Sequence, residues 1–132
     1  MDVAVTYPTM STAPVVVSLR GQLDIDSAAR LSGAFQELAD RQVVRVIVDL
    51  AGLEFCDSIG LSTIIIGHRR CTAAGGWLNL AAPSPFLLRL LSVVGIAEAI
   101  PVYASVEGAR RRAPADRIMP AHDLLIDDLQ VG

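Results

Sequence analysis

Val43 to Leu50 is the most continuous β-branched segment of the chain. Such side chains have few χ1 choices and pack well on a pleated surface, so the segment is expected to be a strand. Its apolarity goes further. A strand with no polar face must be covered on both faces, as in a sheet with crossover helices. The run reaches Asp49, and a short glycine-containing turn is read after it. Phe55-Cys56 and the pair Asp57-Ser58 follow, and from there the apolar spacing becomes helical. Asp and Ser are strong helix caps, because their side-chain oxygens accept the free N–H groups of a first turn. Asp57-Ser58 is therefore expected to open a helix, with the Ser58 hydroxyl on or near the surface. A helix start is electropositive, so a hydroxyl there can carry a phosphate with little distortion of the backbone.

The remaining elements follow from pattern and punctuation. Val3 to Tyr7 reads as an edge strand and Val15 to Arg20 as a strand ending at Gly21. Asp26 or Ser27 caps a helix over residues 28–40, where Leu31, Ala34, Phe35 and Leu38 share one face. In the helix after Ser58, Leu61, Ile64, Ile65 and His68 are assigned to the core. Ile59, Ser62, Thr63 and Ile66 fall on the other side. Gly75-Gly76 ends that helix and Trp77 to Ala81 is a further strand. Ser84 and Pro85 open a helix closed by Gly95. Ala99 to Tyr103 reads as the last strand, and Ser105 caps a final helix through Arg112. Strands alternating with helices imply parallel pairs joined by right-handed crossovers. Residues 114–132 break the pattern and are expected to form a tail, possessing only the short apolar cluster Leu124-Leu125-Ile126.

The chain has 132 residues, enough for one domain with a real core. It is 52% hydrophobic but only 5% aromatic, so Val, Leu, Ile and Ala must fill that core. A net charge of -3 gives no electrostatic reason to expect nucleic acid. Arg110-Arg111-Arg112 lacks aromatic neighbours in sequence and reads as a solvated helix end. Cys56 and Cys71 form no CxxC pair, so no zinc site is expected and both read as buried thiols of a reducing compartment. Met1 to Ala4 lacks the features of a signal peptide. No apolar run approaches the roughly 20 residues needed to span a bilayer. The expectation is a cytoplasmic protein with no cofactor, no metal and no membrane partner. No catalytic set is assembled by spacing: His68 reads as a core or boundary histidine, and no glycine-rich phosphate loop is present.

Gly21-Gln22-Leu23-Asp24, then a helix, then Val46 to Leu50, then Phe55-Cys56-Asp57-Ser58-Ile59-Gly60-Leu61 resembles the STAS domain. Within that family the chain is similar to bacterial anti-sigma factor antagonists. The resemblance covers residues 3–112. It implies an α/β fold of one domain over residues 1–113, with a mixed, mostly parallel sheet of about 4–5 strands and helices mainly on one face. It implies a regulatory binding protein, not an enzyme. In the family, the serine at the place of Ser58 is phosphorylated by a partner that is both serine kinase and anti-sigma factor. The unphosphorylated antagonist binds that partner and frees a sigma factor, and a serine phosphatase restores it. Asp24 matches the family's acidic loop residue and Asp57 the acid before the serine. Ile59 is bulky where the family more often has a small or hydroxyl residue, and Gln22 stands where many members carry an acid.

Each site residue also has a plainer reading. Asp57 is a cap or a group orienting the serine hydroxyl. Asp24 is a turn residue or part of an interface. Ile59, Ser62, Thr63 and Ile66 are a docking patch or pack beneath a neighbouring helix. Gly60 permits a close approach of helix and backbone. An alternative function shares the fold: a STAS scaffold or accessory module that binds a small ligand or a transporter partner with no phospho-switch.

Overall fold

A computed structural model describes residues 1–10 and 12–118. Its five strands are β1 (Asp2–Thr6), β2 (Val15–Leu23), β3 (Arg45–Cys56), β4 (Trp77–Ala81) and β5 (Val102–Tyr103). They form one sheet in the order β1-β2-β3-β4-β5, with β1 antiparallel to β2 and every later pair parallel. The helices are α1 (Ala28–Asp40), α2 (Ser58–Ala73), α3 (Pro85–Val93), α4 (Ile96–Ala99) and α5 (Val106–Arg111), followed by a 3-10 turn at Pro114–Asp116.

β3 is central and covered on both faces. Val46, Val48 and Leu50 join the main core with Leu31, Phe35 and Leu38 of α1, Leu61 and Ile64 of α2, and Leu87 and Leu91 of α3. Ile47 points the other way, into a smaller cluster with Val16, Ala81, Tyr103 and Ala109 of α5. The helices lie mainly on one face, with α5 alone closing the other.

Three local expectations are corrected. The stretch after Asp49 is not a turn. β3 runs on to Cys56, and β2 runs through Gly21 to Leu23. Twice along this extension β3 advances one residue more than β2: Ser18 pairs with Asp49 but Arg20 with Gly52, and Gly21 with Leu53 but Gln22 with Phe55. These bulges move the buried positions from every second residue to Leu50, Leu53 and Cys56. The strand signal is lost because the spacing of two is lost. Second, Ser27 stands at the N-cap position of α1 as expected, but its side chain makes no capping hydrogen bond. The Asp24 carboxylate instead accepts N–H groups from Asp26 and Ser27, both at 3.1 Å. Third, residues 96–99 form the helical turn α4, and β5 is only two residues long. Beyond α5, Arg117 bridges to Tyr103 and the Ile118 N–H donates to the Val102 carbonyl at 2.8 Å. The Leu124-Leu125-Ile126 cluster and the tail around it lie outside the described residues.

Candidate functional site at the start of the second helix

The bulged end of β3 delivers the chain to the start of α2. Asp57 is the cap of that helix: its Oδ1 accepts the Gly60 N–H at 2.8 Å. Its Oδ2 accepts the N–H of Ile25, in the loop between β2 and α1, at 3.0 Å. The Asp57 N–H donates to the Leu23 carbonyl at 3.0 Å. One residue thus clamps the helix start, the end of β2 and the loop. Gly60 lets them meet. A Cβ there would lie 2.8 Å from the Leu23 carbonyl oxygen and 2.8 Å from the Cys56 sulfur.

The loop itself is tied by Asp24. Its Oδ1 lies 3.0 Å from the Ser27 hydroxyl, which also reaches the Gln22 carbonyl at 2.9 Å. The Ser27 hydroxyl first, and then the Ser27 and Asp26 N–H groups, hold the Asp24 carboxyl below its ordinary range, against a smaller opposing effect of burial.

Ser58 is the first residue of α2 and is exposed. Ile59, Ser62 and Ile66 are exposed and Thr63 is half-buried, all on one face of the helix at spacings of three and four. Ile59 is 45% and Ile66 52% exposed, so neither is buried beneath a neighbouring helix. The Ser62 and Thr63 hydroxyls donate to the Ser58 and Ile59 carbonyls at 2.9 Å, which reduces what they can offer to a partner. On the opposite face Leu61 and Ile64 are buried as expected, while Ile65 and His68, also assigned to the core, are only half-buried. His68 Nδ1 lies 3.3 Å from the Leu78 carbonyl. Cys56 and Cys71 are both buried free thiols, and burial, with the nearby Asp57 charge, pushes the Cys56 pKa up to about 12.

Two exposed apolar residues at this end escaped the sequence reading, Ile25 at 69% and Phe55 at 42%. Ile25 had a signal: an isoleucine between two aspartates in a loop has no core to fill. Phe55 had none, since only the bulges turn it outward. Ile59 is exposed with them, and near the end of β2 Asp24, Asp26 and Glu54 line one concavity together with Arg30. Among the described residues no helix is long and apolar enough to cross a membrane, and no group of acidic, His and Cys side chains is placed to hold a metal ion.

The comparisons with known proteins identify the family and the fold. A family model described as "Mlab, STAS domain" matches residues 8–103. An anti-sigma F factor antagonist from Paenibacillus polymyxa is 28% identical over 90 residues, covering 67% of this chain and 77% of that protein. An anti-sigma-B factor antagonist from Bacillus subtilis (strain 168) is 29% identical over 94 residues, covering 71% and 85%. Among solved structures, the anti-sigma factor antagonist SpoIIAA in its unphosphorylated form superposes with a TM-score of 0.70 at 23% identity, covering 86% of this chain and 97% of that one. The phosphorylated form of SpoIIAA, a Bacillus cell fate determinant, gives 0.63 at 24% identity, covering 83% and 98%. These two likenesses speak for the fold. With a family match spanning residues 8–103, and with the sheet, crossovers and capped second helix in place, this protein belongs to the STAS-domain family.

Proposed function

We propose that this protein is an anti-sigma factor antagonist whose unphosphorylated form binds an anti-sigma factor with serine kinase activity, releasing a sigma factor. Phosphorylation of Ser58 switches it off, and a serine phosphatase restores it. The observation that carries this reading is the exposed Ser58 at the first position of α2, beside exposed Ile59, Ser62 and Ile66. Thr63, Asp57 and Asp24 complete the proposed contact surface. Relatives named as anti-sigma factor antagonists support it.

The switch has a simple physical basis. A phosphate adds about -1.5 to -2 charges at neutral pH and must be desolvated when a partner closes over it. Asp24 and Asp57 lie at the same end of the molecule, so a partner that covers them and the phosphate must bury more negative charge. The same phosphate is tolerated by the free protein, because the first-turn N–H groups and the helix dipole favour an anion there. No refolding is required, and binding alone changes.

The test is mass spectrometry of the protein incubated with ATP and each kinase-like partner from the same genome. A single phosphate on Ser58, lost in Ser58→Ala, is the expected result. Phosphate incorporation that persists in Ser58→Ala ends the proposal. A protein that no such kinase labels, and that binds a transporter component instead, would be the scaffold module.

A further inference from the structure

At the opposite end of the sheet from Ser58, the arginines of two distant segments meet. Arg45 begins β3 and Trp77 begins β4, while Arg110 lies in the last turn of α5 and Arg112 follows its end. Arg45, Arg110, Arg112 and Trp77, with Thr12 and Gly75, line one open concavity of about 470 Å³. Among the described residues no carboxylate lines it. That is notable in a chain whose net charge is -3.

The guanidinium groups are positioned with little neutralisation. Arg45 Nη1 donates to the Thr12 carbonyl at 3.2 Å. Arg112 lies over the Trp77 ring, 5.4 Å from its centroid. Among the described residues neither pairs with a carboxylate. Only Arg110 does, through a half-exposed ion pair with Glu107 at 3.2 Å, and exposed pairs of that kind hold weakly. A guanidinium carries five N–H donors in a planar fork, so each of these contacts leaves most of the fork free. Three such forks around a small open hollow match a compact anion with several oxygens and more than one charge.

We infer that this hollow binds a phosphate-bearing anion with at least two negative charges, held by Arg45, Arg110 and Arg112. The site is separate from the Ser58 surface and does not depend on how that surface is used. The three-arginine run at residues 110–112 thus does more than end a helix. Two of its members face Arg45 across the hollow, a partner sixty-odd positions away that no local pattern reveals.

The chain supplies its own reporter, since Trp77 is its only tryptophan. An anion that draws Arg112 away from the indole alters the emission. The experiment titrates the full chain with sodium tripolyphosphate and, separately, with phosphatidylcholine vesicles doped with a phosphoinositide. The expected result is a saturable emission change that weakens as salt is raised. Affinity should fall about tenfold or more in Arg45→Gln and Arg110→Gln, and stay unchanged in Arg89→Gln, a bulk-charge control on α3. Circular dichroism melts confirm that each variant is folded. A response to tripolyphosphate assigns the site to a soluble phosphate compound. A response to the vesicles alone, lost in Arg45→Gln, assigns it to a lipid headgroup. No response to either probe, or equal affinity in the folded Arg45→Gln and Arg110→Gln proteins, overturns the inference.

Discussion

Asp57 and Ile25 are 32 residues apart in sequence, yet a carboxylate oxygen of the first accepts the backbone N–H of the second at 3.0 Å. The other oxygen of the same carboxylate caps α2 through Gly60. Asp57 therefore decides both where the helix starts and where the neighbouring loop rests. Asp57→Ala should cost about 1–3 kcal/mol, a lost cap plus a lost loop tie. Asp57→Asn should cost less, because one acceptor oxygen remains. Urea unfolding of the two variants measures the difference.

If the Ser58 surface is the partner site, its chemistry sets the outcome of two substitutions. Ser58→Asp places one charge where the phosphate would place nearly two, so binding to the anti-sigma factor should fall by about a hundredfold or less. Ser58→Ala should bind like the parent protein. Isothermal titration against the purified partner gives both constants, and a tight Ser58→Asp complex would contradict an electrostatic switch.

The two faces of α2 separate stability from recognition. Ile66 is 52% exposed and Ile64 is fully buried. Ile66→Glu should leave the melting temperature nearly unchanged and abolish partner binding. Ile64→Ala should destabilise the fold by about 2–5 kcal/mol, since it removes buried surface and leaves a cavity. Thermal melts and pull-down of both variants check this, and an unfolded Ile66→Glu would place that residue's role in packing.

Gly60→Ala sets helix propensity against close packing. Alanine favours a helix over glycine by up to about 1 kcal/mol. Its Cβ, however, would sit 2.8 Å from the Leu23 carbonyl oxygen, a backbone atom that cannot turn aside. Overpacking of that sort costs about 1–3 kcal/mol, so the net effect should be a loss of stability in urea.

Alkaline pH should unfold the protein through Cys56. Its folded-state pKa is about 12 against an ordinary value of 9.0, raised chiefly by burial. Below pH 9 the thiol is protonated in both states and favours neither. Between pH 9 and about 12 the unfolded chain ionises first, so stability should decline across that window. Cys56→Ala should flatten the decline in a pH series of urea midpoints, and in native protein Cys56 should react slowly with thiol reagents at neutral pH.

Much of this architecture was written locally in the chain. Asp57, Ser84 and Ser105 each cap a helix as read, accepting N–H groups from Gly60, Leu87 and Gly108. Leu31, Phe35 and Leu38 are buried along one face of α1. These features depend on neighbours within a turn or two, so composition and spacing suffice to reveal them. The tertiary structure alone decided the rest. The bulges in β3 exist only against β2, and they turn Phe55 outward while keeping Leu53 and Cys56 inside. The tie from Asp57 to Ile25, and the meeting of Arg45 with Arg110 and Arg112, join residues that no local periodicity links. Hydrogen bonds within a turn form wherever the side chain allows them, but contacts between distant segments depend on a register that only the assembled sheet sets.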